Sequence, residues 1–345
     1  MDLSRIKRVL AQSTLAAPPR VLQTFAPSLR ADGAALDPQI AALIRLGNLL
    51  REPKTHEQPV PLARATFRHQ TRIVDLSPPP DVTSEELRLQ VNGTSLQARL
   101  YRPADAPGRP PALVYFHGGG FVIGDLDSHD GVCRWLSRGS GAAVLSVAYR
   151  MAPEHPFPAA VDDAVASYRW ALEQRERLGL GALGVGGDSA GGCLAAVVCQ
   201  QAQREGLPQP AMQLLVYPVT HVGSQLPSRE AFARDLFLER PTIDWFCDQY
   251  LPPPLPRDDP RASPLLAPEL TGLAPALVIT AGFDPLRDEG DRYAERLREA
   301  GVPVEHHRAQ TLPHGFWSMG GVCDEARRWV LRMARRTGQL LASGG

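Results

Sequence analysis

Two lysines, five cysteines and no long apolar run set the first limits on this chain of 345 residues. The thiols of Cys133, Cys193, Cys199, Cys247 and Cys323 are odd in number and include no C-x-x-C pair. Neither a disulfide framework nor a zinc knuckle is signalled. No stretch reaches the ~18 apolar residues of a membrane span. The N-terminus, MDLSRIKRVLAQSTLAAPPR, breaks its apolar residues with charges. It lacks the roughly 7–15-residue apolar core of a secretory signal. A reduced, cytoplasmic protein without a membrane span is the expectation. Net charge is missing as well: 37 basic residues balance 37 acidic ones. No field gathers nucleic acid or an anionic membrane. Lys7 and Lys54 leave every other basic position to arginine, a bias that codon usage explains better than function does.

What is present suffices for a large core. The chain is 43% hydrophobic and 21% charged, which excludes wholesale disorder. Its length admits two domains or one large α/β unit. The first sixty-odd residues read as helical pieces, Leu3–Ala11 and Asp37–Leu50, the second opened by a capping Asp37 and Pro38. REPKTHEQPVP reads as a linker, and from Thr71 the period becomes strand-like in RIVDL, LRLQV and LQARLYRP. Asn92-Gly93 marks a hairpin turn between the last two.

Beyond Pro111 the texture is strand–helix–strand. ALVYF (112–116), AVLSV (143–147), LGVG (183–186), QLLVY (213–217) and ALVIT (276–280) are short apolar runs that suit strands buried on both faces of a parallel sheet. Helical patterns over Ala159–Arg177, Gly192–Arg204 and Arg287–Ala300 lie between or after them. The fold class is therefore α/β, a mostly parallel sheet flanked by helices, with its chemistry at the strands' carboxyl ends. Between QLLVY and ALVIT, the helix-like SREAFARDLFLERPTIDWFCDQYL and a proline-rich stretch exceed a simple crossover. Together with the N-terminal helices they are expected to form a cap. The expected division is 1–65 and 220–256 as cap, 66–219 and 257–345 as core.

Gly187-Asp188-Ser189-Ala190-Gly191 follows a strand and opens a helix, the context that G-x-S-x-G needs. A side chain at 187 or 191 would collide with neighbouring backbone, so the glycines suit a tight turn that lifts the Ser189 hydroxyl. A purely structural turn is the plainer alternative. His117-Gly118-Gly119-Gly120-Phe121 directly follows ALVYF. Three glycines at a strand's carboxyl end suit an oxyanion hole built from backbone N–H groups of this loop and of Ala190. A nucleotide-phosphate loop competes, but neither G-x-x-x-x-G-K-[ST] nor G-x-G-x-x-G is present there; flexible punctuation is the third reading. Asp284, before Pro285 and just beyond ALVIT, can orient an imidazole, with Asp288 as competitor. His314 in LPHGF has loop character, whereas His306 and His307 lie inside an expected strand. The adjacent histidines invite a metal reading that no H-E-x-x-H or carboxylate cluster supports.

With these residues in place, the chain resembles the hormone-sensitive-lipase-like branch of the α/β-hydrolase fold, the bacterial family IV carboxylesterases. HGGGF (117–121), YRMAPEHPFPAAVDD (149–163), GDSAGG (187–192), DPLRDEG (284–290) and HGF (314–316) stand in family order, and the match runs from about Arg99 to Arg335. The resemblance implies Ser189, Asp284 and His314 as the triad, with Gly119, Gly120 and Ala190 as the oxyanion hole beside His117 and Gly118. It further implies a serine carboxylesterase without metal or cofactor, acting on a small-molecule ester, with a homodimer as the preferred assembly. Amide, carbamate or lactone hydrolysis on the same triad, or a non-catalytic receptor of the same fold, stay as alternatives. Phe232, Phe237, Trp245 and Phe246 in the insertion would line an acyl pocket or hold the cap down. Arg150 and Glu154 are expected to be paired near a sheet edge.

Overall fold

Short apolar runs become strands here because each has two faces to bury. The computed structural model describes Leu15 and residues 17–26, 29–106 and 108–343; the expected helix Leu3–Ala11 lies outside the described residues. Helices α1 (Pro19–Phe25), α2 (Pro38–Leu49) and α3 (Val60–Val74) precede a hairpin of β1 (Val82–Val91) and β2 (Thr94–Pro103). There follow β3 (Ala112–Phe116), α4 (Asp130–Ser140), β4 (Ala143–Ala148), α5 (Ala159–Gln174), β5 (Leu183–Asp188), α6 (Ala190–Arg204) and β6 (Gln213–Val216). The insertion carries α7 (Pro227–Ala231) and α8 (Arg240–Tyr250), and the chain closes with β7 (Ala276–Phe283), α9 (Arg287–Glu299), β8 (Val304–Pro313) and α10 (Asp324–Ser343).

One eight-stranded sheet results, in the order β8-β7-β6-β5-β3-β4-β2-β1. Strands β3 to β8 run parallel, while β2 pairs antiparallel with both β1 and β4. The period of two in a strand divides its side chains between two cores. Ala112, Val114 and Phe116 pack with α5, α6 and α9; Leu113 and Tyr115 pack with α4 and α10. Burial on both faces removes the polar alternation of a half-exposed sheet. The expected hairpin turn is present, with Asn92 at φ 48° and Gly93 at φ 73° between the paired Val91 and Thr94, the left-handed pair a tight hairpin needs. Asp37 caps α2 by accepting from the N–H groups of Gln39 and Ile40.

Three expectations are corrected. RIVDL is not a strand: Arg72–Val74 form the last turn of α3. Ala63 and Thr71 are buried eight residues apart, with Phe67 half-buried midway, so spacing by four over fifteen residues outweighs a short run of alternation. Pro78, Pro79 and Pro80 then bar any continuation. The same helix begins within the expected linker REPKTHEQPVP and crosses the expected boundary between residues 65 and 66. The run SREAFARDLFLERPTIDWFCDQYL is likewise two helices rather than one. The second begins at Arg240-Pro241, where proline suits the first turn.

Polar ties fasten the N-terminal elements to loops beyond the strands and to the insertion. Arg64 on α3 donates to the carbonyls of Val122 (2.8 Å) and Ala152 (2.9 Å) and pairs with Glu154 at 2.7 Å. Lys54 reaches Glu239 at 3.1 Å, and His56 Nδ1 lies 2.9 Å from Thr242 Oγ1. Arg150, for which the sequence named no partner, pairs with Asp163 on α5. This buried carboxylate accepts from the Arg150 backbone N–H at 2.8 Å and from Nη2 at 2.7 Å. Asp163→Ala leaves these donors without their acceptor and is expected to lower the unfolding free energy by about 2–4 kcal/mol in urea. A loss below about 0.5 kcal/mol would mean that water replaces the contact.

Candidate active site

Each candidate residue stands just past the carboxyl end of a parallel strand. Ser189 follows β5, with φ 54° and ψ −117°. That conformation disfavours an ordinary side chain. Three backbone hydrogen bonds hold it: Ser189 N–H to the Val216 carbonyl at 2.8 Å, and Val219 and Cys193 N–H to the Ser189 carbonyl, each at 3.1 Å. The flanking glycines are required by space. A Cβ on Gly191 would overlap the Phe116 carbonyl, and one on Gly187 would overlap the Gly191 backbone.

The structure brings Ser189, His314 and Asp284 together although 125 residues separate the first two. His314 Nε2 lies 2.9 Å from Ser189 Oγ, and His314 Nδ1 lies 2.8 Å from Asp284 Oδ2. Asp284 is fully buried after β7, and its Oδ1 accepts the Leu286 N–H at 2.8 Å. The Tyr217 ring sits against the His314 imidazole, with centroids 4.5 Å apart. The competitors are occupied elsewhere. Asp288 is on α9 and accepts the Ser228 N–H at 2.8 Å. His306 pairs with Asp291 at 3.0 Å, and His307 with Glu305 at 2.6 Å.

The loop after β3 turns through left-handed backbone at Gly119 (φ 119°), Gly120 (φ 60°) and Phe121 (φ 64°). Among the described residues the N–H groups of Gly119, Gly120 and Ala190 have no hydrogen-bond acceptor. Three unspent donors, two on this loop and one beside Ser189, suit an incoming oxyanion. Phe246 of α8 lies so close to Gly120 that a Cβ there would meet its ring, so the insertion roofs this loop. Phe232 is instead buried against Phe283, beneath the Arg287 guanidinium, and Phe237 is exposed. Trp245 packs against Phe246, with centroids 5.3 Å apart.

Sequence reasoning missed the support beneath the loop. Asp188 Oδ1 accepts from the Tyr115 hydroxyl at 2.7 Å and from the Gly118 N–H at 3.1 Å, and lies 3.5 Å from His129 Nε2. The Tyr149 hydroxyl donates to the His117 carbonyl at 2.7 Å, and His117 Nδ1 lies 2.8 Å from the Gly118 carbonyl. Burial would raise Asp188, but the His129 charge and the hydrogen bonds of His129 and Tyr115 hold it below the usual carboxylate range. Burial would lower His129, and the Asp188 carboxylate lifts it above the ordinary histidine value. His117 is pushed down to about 4, by burial first and by neighbouring His129 second. It is a neutral prop near pH 7. Tyr115 reads as a core residue of the ALVYF run, and Tyr149 as the first residue of the motif YRMAPEHPFPAAVDD, so no signal in the sequence marked what their hydroxyls hold.

A serine on a strand–turn–helix elbow at the carboxyl edge of a parallel sheet defines an α/β hydrolase. The sequence pattern of the family described as alpha/beta hydrolase fold matches residues 113–318. The chain is 43% identical over 304 residues to the carboxylic ester hydrolase LipN of Mycobacterium tuberculosis, covering 84% of this chain and 78% of that protein. It is 40% identical to the ethyl acetate hydrolase of Pseudomonas putida, covering 85% of this chain and 95% of that protein. Among solved structures, an ester hydrolase from the metagenome of Lake Arreo, complexed with a bipyridine phosphonate derivative, matches with a TM-score of 0.85 and 38% identity, over 89% of this chain and 98% of that one. This chain belongs to the α/β-hydrolase fold family, in its hormone-sensitive-lipase-like branch.

The Asp188–His129 pair yields a test of the loop's support. It is an ion pair in the window between the lowered Asp188 value and the raised His129 value. The His129 contribution is complete below the unfolded histidine value and lost as pH rises through the folded one. Asp188→Asn is expected to cost roughly 3 kcal/mol of stability at about pH 6 and distinctly less at about pH 9. Urea unfolding of both proteins at each pH checks this; an equal gap at both would mean that His129 is uncharged throughout.

Proposed function

We propose that this chain is a serine carboxylesterase in which Ser189 is the nucleophile, His314 the general base and acid, and Asp284 the residue that orients and charge-balances the imidazole. The observation that carries the reading is the continuous contact from Ser189 Oγ through both ring nitrogens of His314 to buried Asp284. The names of the relatives add ester hydrolysis as the reaction class. As Ser189 Oγ attacks the ester carbonyl carbon, its proton passes to His314 Nε2. The carbonyl oxygen becomes an alkoxide facing the N–H groups of Gly119, Gly120 and Ala190, each such donor contributing about 3–4 kcal/mol. His314 then gives its proton to the departing alkoxide, which leaves as the alcohol and an acyl-Ser189 behind. Water repeats the cycle: His314 takes its proton, hydroxide adds to the acyl carbon, and Ser189 departs with the proton restored.

The N-terminal elements and residues 220–256 form the cap in this reading, supported by the Lys54–Glu239 and His56–Thr242 contacts. A small-molecule ester enters beneath Phe246, which lies over Gly120. Short-to-medium acyl chains fit the reading because this aromatic roof presses on the loop that receives the carbonyl. Five free, buried thiols accord with a cytoplasmic protein, and a homodimer belongs to the same reading.

Ser189→Ala is expected to lower kcat on p-nitrophenyl butyrate by roughly 10⁶ with the fold retained; appreciable turnover in a folded variant would reject Ser189 as nucleophile. Across a series of p-nitrophenyl esters, kcat/KM should peak at a short or medium acyl chain. A maximum beyond about twelve carbons would contradict the proposed substrate class.

A further inference from the structure

The turn that carries Asp284 is gripped by the insertion, through two consecutive residues at the start of α7. Ser228 is fully buried. Its hydroxyl donates to the Pro285 carbonyl at 2.8 Å and accepts the Asp288 N–H at 3.1 Å, while its own N–H donates to Asp288 Oδ2 at 2.8 Å. The Pro285 carbonyl and the Leu286 N–H belong to one planar peptide unit. That N–H is the donor to Asp284 Oδ1. The peptide that aims the carboxylate is thus fixed from its opposite side by Ser228.

Arg229 locks the same segment in place. Its Nε and Nη2 donate to Glu289 Oε2 at 3.0 and 2.7 Å, and Nη2 also donates to the His221 carbonyl at 3.2 Å. Glu289 Oε1 accepts the N–H groups of Thr220 at 3.0 Å and His221 at 3.2 Å, and the Thr220 hydroxyl donates to the Glu289 carbonyl at 2.7 Å. Both charged side chains are nearly inaccessible, at 5% and 1% exposure. A buried ion pair adds little net stability over an apolar pair, and its best-attested use is to fix register. Here the registered pieces are the insertion and the first turn of α9. Val219, one residue before Thr220, holds the Ser189 carbonyl, so residues 219–229 span from the serine elbow to the acid's turn.

The geometry points to Ser228 as a positioning residue, locked by the Arg229–Glu289 pair: it orients Asp284 through the Pro285–Leu286 peptide, and so makes the seating of the insertion a condition for a competent His314. The inference rests on the assignment of Ser189, His314 and Asp284 under Proposed function. A positioning role acts on the chemical step, so its mark is a loss in kcat and not in KM. The distinction is sharp because Arg229 also borders a cavity of about 410 Å³ in the insertion, shared with His221, Arg240 and Arg257. Loss of a residue that held substrate there would instead raise KM.

The test measures kcat and KM of the full chain on p-nitrophenyl butyrate, at a temperature where circular dichroism shows each variant folded. Ser228→Ala is expected to lower kcat about tenfold or more, with KM within about threefold of the parent. A folded Ser228→Ala protein with unchanged kcat, or with its loss in KM alone, overturns the inference. Where Ser228→Ala does not fold, the paired variant Arg229→Met/Glu289→Gln decides, since it removes the lock without leaving a buried charge unpaired. Its kcat is expected to fall in the same way, and parental kcat there overturns the inference. A folded Ser189→Ala protein that still turns over would instead overturn the underlying assignment and leave the Ser228 variants' kcat without its proposed cause.

Discussion

The close approach of β3's carboxyl end to the start of α6 is the constraint on which the site depends. Phe116's carbonyl occupies the space a Cβ on Gly191 would need, and the Gly191 backbone occupies that of Gly187. Only with both positions empty can the chain leave β5, reverse at Ser189 and enter α6 within so few residues. Holding serine at φ 54° costs on the order of 1–3 kcal/mol. The backbone bonds to Val216, Val219 and Cys193 offset that cost. The same crowding sets Ala190 at the first turn of α6, beside the glycine loop that β3 delivers. The serine elbow and the glycine loop therefore share one origin, the packing of two adjacent strand ends.

Charge is treated differently on the two sides of this crowded point. Toward the glycine loop, Asp188 is surrounded by an imidazole, a phenol and a backbone N–H, and remains a carboxylate despite burial. Toward the histidine, Asp284 receives one backbone N–H and the imidazole. Each carboxylate anchors a backbone turn as well as a ring. Asp188 fixes Gly118, and Asp284 fixes Leu286. Buried charge in this molecule is spent on orienting loops at the sheet's edge, where secondary structure ends and backbone groups would otherwise lack partners.

The sheet, the serine turn and the glycine loop were legible in the sequence because their constraints are local. ALVYF, AVLSV and ALVIT announce strands by continuous apolarity, and glycines around Ser189 and after Phe116 announce turns that no other residue permits. The supporting residues were not legible, because their roles depend on which strands become neighbours. Tyr115 reads as one more core residue until β3 lies beside β5 and its hydroxyl meets Asp188. Helix α3 failed for a related reason. Its face of Ala63, Phe67 and Thr71 is weakly apolar, and its anchoring comes from Arg64, whose partners lie on loops 58 and more residues away. RIVDL, short and apolar, gave the stronger local signal and the wrong one.

The insertion meets the site at two opposed points. Phe246 presses on Gly120 in the glycine loop, and Ser228 grips the peptide that aims Asp284. The segment between them, residues 229–245, carries Arg229 and the exposed turn around Phe237. A change in the length or packing of that segment would alter both the space over the glycine loop and the hold on the acid's turn. Substitutions confined to the half-buried aromatic face of α8 can reshape the roof, because α8 makes no hydrogen bond to the Asp284 turn among the described residues. Those at Ser228 and Arg229 reach the carboxylate through a single peptide plane. The fold thus divides the insertion into a face that can vary and a grip that cannot.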